Sequence, residues 1–137
     1  MTIRKLIIPW ILVCAIVVGL GFYKRVSDGF GLQSAQSILD ALGYYSGIGA
    51  AAATCLVTGL HVVNRVRRGS LQKGSGIAVV LYSSAISAIA PPLILVCFGW
   101  FTGMSALGVV IQAFWTLGIA LFAFVAFSLV ILCCRPR

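Results

Sequence analysis

This chain has no glutamate, and its aspartates number two, Asp28 and Asp40. A lone histidine, His61, completes the short supply of groups that move protons or bind metals. Asp28 lies outside the apolar runs and Asp40 at the edge of the second, so no carboxylate pair is available inside a span for general acid–base chemistry. Proton relays and ion-coupled pumps place ionisable groups at bilayer depth, and these are missing too. The sequence lacks the G-x-S-x-G, H-E-x-x-H, P-loop and dinucleotide-binding patterns. Its cysteines, Cys14, Cys55, Cys97, Cys133 and Cys134, form neither a C-x-x-C pair nor a disulfide framework. One histidine cannot supply both axial ligands of a haem. The expectation is a protein that is not an enzyme, with no cofactor and no metal.

Charge is scarce as well, at 9% of residues, while 61% are hydrophobic. A soluble domain carries about 45–50% apolar residues. The excess is gathered into four runs, Leu6–Tyr23, Leu39–Val63, Gly76–Phe101 and Leu107–Cys134. A bilayer core about 30 Å thick takes roughly 20 helical residues, and these runs meet or approach that length. A soluble fold of 137 residues could not hide four all-round apolar helices. The fold expected is therefore an all-α membrane protein of four transmembrane helices, forming a single polytopic domain over residues 1–137.

The net charge of +8 arises from ten basic residues that flank the runs. With the N-terminus inside, Arg4, Lys5, Arg65, Arg67, Arg68, Lys73, Arg135 and Arg137 share one side, against Lys24 and Arg25 on the other. This asymmetry predicts both termini in the cytoplasm, with a bacterial cytoplasmic (inner) membrane as the setting. Arg65, Arg67, Arg68 and Lys73 are the candidates for contact with anionic headgroups or a partner. Basic residues without interleaved aromatics in a long loop do not suggest nucleic acid. The first run lacks an A-x-A-like cleavage site and reads as a retained span, not a signal peptide. Pro9 falls in its first turn, and Trp10 near the inner headgroups.

Between the first two runs and into the second, Leu32, Ala35, Ile38, Leu39 and Leu42 recur at helical spacing, which suggests a short amphipathic helix on the outer surface. Ser37 with Asp40 fits an N-cap pattern. In the second run, Gly43, Gly47, Ala51, Cys55 and Gly59 repeat every four residues. That spacing makes a continuous strip of small side chains, which lets membrane helices approach closely. The strip does not say whether the neighbour belongs to the same chain or another. In the third run, Pro91-Pro92 predict a kink or break. Ser84 and Ser87, upstream, are candidates to satisfy the freed carbonyls or to line a pore. The fourth run carries Phe114, Phe122, Phe124 and Phe127 as a lipid-like surface, with Gln112 its one amide.

The favoured expectation is a structural or accessory subunit of a membrane complex, acting through helix packing and contacting other subunits or copies of itself. One alternative is a small oligomeric channel or pore of toxin, lysis or defence type. Another is a lipid- or quinone-contacting subunit of an electron-transfer complex.

Overall fold

The computed structural model describes residues 3–27, 35–102 and 106–135, with side chains over 3–27, 41–97 and 109–135. Four helices account for nearly all of them: α1 Arg4–Ser27, α2 Ala35–Arg67, α3 Lys73–Thr102 and α4 Ala106–Cys133. Each is long and apolar enough to cross a membrane. The chain is an integral, multi-pass, all-helical membrane protein. Lipid offers no hydrogen-bond partner to a bare peptide group, so each apolar run satisfies its own backbone by coiling.

Helix ends differ from the sequence expectations in three places. The α1 helix begins earlier than the apolar run, because Ile3 O already accepts from Leu6 N and Ile7 N at 3.0 Å. Pro9 therefore falls in the second turn, not the first. Ser37 lies inside α2 instead of capping it. The last residues of the expected surface helix simply extend α2, and its first part lies outside the described residues. The proline pair does not break α3, which stays helical from Lys73 to Thr102.

The turn between α2 and α3 follows from one glycine. Gly69 has φ 75°, the left-handed conformation that glycine adopts without strain. It lets Gly69 N reach Val66 O and Ser70 N reach Arg65 O, both at 3.1 Å. This paired closure satisfies the last carbonyls of α2 and reverses the chain.

Packing is unequal. Among the described residues, the helices α2, α3 and α4 touch one another pairwise, whereas the α1 backbone approaches α2 alone. No residue of α1 is buried. The α2 helix is thus the hub, with a neighbour on three sides. Near the α2–α3 turn, Val62, Val66, Val80 and Ile131 form a buried apolar plug, backed by Phe124 and Phe127. Gly76 lets α3 close on it, since a Cβ there would lie 3.1 Å from Val62 and Val66.

Candidate functional site

The small-residue strip of α2 is occupied within the chain. Gly43 faces Leu95 of α3, where a Cβ would stand 3.3 Å from the side chain. Gly47 faces Gln112 of α4 so closely that any Cβ would overlap the amide. Ala51 and Cys55 are buried, and Gly59 lies beneath the ring of Phe127. Gly49, midway between two strip positions and so on the opposite side of α2, meets the Cys14 carbonyl of α1 at 3.1 Å for an added Cβ. The reason for so many small residues is now geometric. A helix with three close neighbours must be thin on three sides.

Polar side chains at membrane depth tie these helices together. Gln112 is 0% exposed, and its Nε2 donates to Tyr44 O at 3.0 Å and Gly43 O at 3.3 Å. Thr116, also 0% exposed, lies one turn further along the same α4 face. Its Oγ1 reaches Ala88 O at 3.2 Å and Ala113 O at 3.1 Å, so its single proton has two acceptors. Ala88 O is the carbonyl that Pro92 deprives of a helical donor. Ser87 does not perform that service. Its hydroxyl bonds back to Ser83 O at 2.7 Å, and Ser83 to Val80 O at 3.0 Å. Ser84, Ser87 and Pro91 are buried between helices, and Pro92 is half-buried. A pore lined by those serines would require the bundle to open. Gln112 was visible in the sequence as the one amide of its run. Thr116 was not singled out, although its i+4 spacing from Gln112 puts both on one seam.

The α1–α2 contact has its own chemistry. Trp10 Nε1 donates to Thr54 Oγ1 at 3.0 Å, opposite the middle of α2. Higher up, the Tyr45 ring lies over Gly21, where a Cβ would overlap it, and sits 6.0 Å from the Phe22 ring. Because α1 leans on α2 only, an apolar groove opens on each side of it. Toward α3 the groove is about 470 Å³, with Trp10, Cys14, Ala50, Ile86 and Ala90 among its walls. Toward α4 it is about 540 Å³, floored by Ala52 and Gly118 and flanked by Trp115, Phe122 and Ala126. Phe114 and Phe122 are 75% and 78% exposed beside it, whereas Phe124 and Phe127 turn inward and are half-buried.

The basic turn divides into two roles. Arg65, Arg67 and Arg68 are exposed and open to headgroups. Lys73 instead donates from Nζ to Leu132 O at 3.1 Å. It caps α4, where a cation also suits the negative end of the helix dipole. His61 is half-buried near the same end. Among the described residues, no three metal-binding side chains gather. No family of known proteins, no curated protein and no solved structure matches this chain.

Proposed function

We propose that this protein is a non-enzymatic accessory subunit of a larger membrane assembly, working by helix packing in the cytoplasmic (inner) membrane of a bacterium. The observation that carries the reading is the position of α1. It is a full-length span held on one side only, and it leaves the α4 groove open beside Phe114 and Phe122, the most exposed aromatic rings among the described residues. Large rings beside a floor of Gly118, Ala52 and Ala126 offer close contact to a helix from another subunit, and close contact drives association in lipid. The charge asymmetry favours both termini in the cytoplasm, with Arg65, Arg67 and Arg68 beside anionic headgroups or a cytoplasmic partner.

The small strip of α2 is not the surface for this purpose, because α3 and α4 already occupy it. Substituting Gly47 would test folding, not assembly. Gly118 is the informative position, since a Cβ there meets nothing within 4 Å. Gly118→Leu should leave the monomer folded and remove it from its complex on a native gel of mildly solubilised membranes. Wild-type protein that migrates alone, or a Gly118→Leu variant that stays in an undiminished complex, would sink the reading.

A further inference from the structure

We propose that the groove between α1 and α3 seats one acyl chain of an anionic membrane lipid, with the lipid phosphate held by Arg25 at its mouth. This is independent of the assembly reading, which concerns the opposite groove.

Length separates a lipid chain from a protein helix as the occupant. Along α2 the groove runs from Leu42 to Thr54. Twelve residues at about 1.5 Å each give about 18 Å. The hydrocarbon core is about 30 Å thick, so one leaflet is about 15 Å. The slot is therefore one leaflet deep, too short to hold a spanning helix along its length. Its volume of about 470 Å³ is that of a small-ligand site.

Wall chemistry points the same way. The polar groups lining the slot are turned to other tasks. Trp10 bonds Thr54, Ser46 bonds Gly43 O at 3.2 Å, and Ser87 bonds Ser83 O. The donors of Trp10, Ser46 and Ser87 are thus already taken along the shaft, which suits hydrocarbon. The deep end stops at the Trp10–Thr54 bond.

The mouth carries the charge. Trp10, Cys14, Gly21 and Arg25 fall on one stripe of α1, at steps of four, seven and four residues. The first three face α2, at Thr54, Gly49 and Tyr45. Continuing that register one turn sets Arg25 level with Leu42, where the slot opens. Arg25 is half-buried, and its Nε is shielded from water without a hydrogen bond. A guanidinium at that level offers a phosphate a two-pronged, charge-assisted bond. Lys24 falls on the other side of the stripe, toward the α4 groove.

The test is native mass spectrometry of the full chain in mild detergent, after exchange into phosphatidylglycerol or phosphatidylcholine of identical chains. Wild type should retain one phosphatidylglycerol in preference to phosphatidylcholine. Arg25→Gln should cut that preference roughly fivefold, the scale for one basic residue near an anionic surface, while Lys24→Gln changes it less. Ala90→Phe, which fills the slot, should eject the lipid. Ile86→Trp covers the slot from an exposed position, so it should do the same without disturbing the core. Equal retention of both lipids by wild type, equal effects of the Arg25 and Lys24 variants, undiminished lipid in Ile86→Trp, or a second polypeptide in place of the lipid would each overturn the proposal.

Discussion

The hydroxyl of Thr116 on α4 stands 3.2 Å from the carbonyl of Ala88 on α3, the one carbonyl that Pro92 strips of its helical donor. A proline inside a span is thereby repaired from the neighbouring helix. Thr116→Val keeps the shape and removes the donor. It should destabilise the bundle by about 0.6 kcal/mol, and by no more than about 1.7 kcal/mol, the range for such bonds in membranes. Pro92→Ala restores a backbone N–H to Ala88 O, so Thr116→Val should then cost less. Denaturation of the four proteins of this double-mutant cycle in detergent micelles decides the matter, and additive effects would refute the repair.

Glycine positions on α2 should rank by what an added methyl meets. Gly47→Ala drives into the amide of Gln112, which is walled in on all sides, and should cost about 1–3 kcal/mol. Gly59→Ala meets the half-buried Phe127 ring, which has room to swing toward lipid, and should cost less. Gly19→Ala in α1 meets nothing and should be neutral. Thermal unfolding followed by circular dichroism gives the order. An equal loss at Gly19 and Gly47 would contradict this packing.

Gln112 presents two donors to carbonyls but leaves Oε1 without a partner. Gln112→Leu removes the bonds and the orphaned acceptor together, so its net cost should stay within about 1 kcal/mol. Gln112→Glu aims oxygen at two carbonyl oxygens and buries an acid. It should be far more damaging than Leu, by several kcal/mol or failure to accumulate. Expression level and unfolding midpoint of the pair provide the check, and Glu tolerated as well as Leu would exclude the clamp.

Trp10→Phe deletes the bond to Thr54 at the helix held on one side only. The core of α2–α4 should remain, while α1 loosens. Maleimide labelling reports this directly. Cys14, on the α1 face toward α2, should label faster than in wild type, and buried Cys55 should stay protected. Unchanged labelling of Cys14 would show that α1 is anchored by other means.

How far the sequence reached depended on the range of the forces involved. The four apolar runs agree with α1–α4 to within a few residues, because lipid imposes the helix on any long apolar segment. The small-residue strip was legible as a contact face for a similar reason, since side-chain volume along one register is a local property. Its partner was not. Gln112, Pro91 and Phe127 lie far from Gly47 and Gly59 in sequence, and only the folded bundle brings them together. Ser87 was a reasonable candidate for the freed carbonyls of α3, yet its hydroxyl reaches the turn behind it more easily than the turn ahead. Lys73 is legible as a headgroup candidate, but its bond to the α4 terminus is not, because Leu132 lies far from it in sequence.

Hydrophobicity and chain length alone determine that this protein lives in a bilayer as four helices, because burying peptide groups in hydrocarbon leaves no other choice at these lengths. Which helix is the hub, which stands at the edge, and where the open grooves run were decided by tertiary packing. Lipid solvates every apolar face equally well, so the order of helices is set by shape fit and a few interhelical hydrogen bonds, and those depend on residues meeting across distances that sequence order does not record.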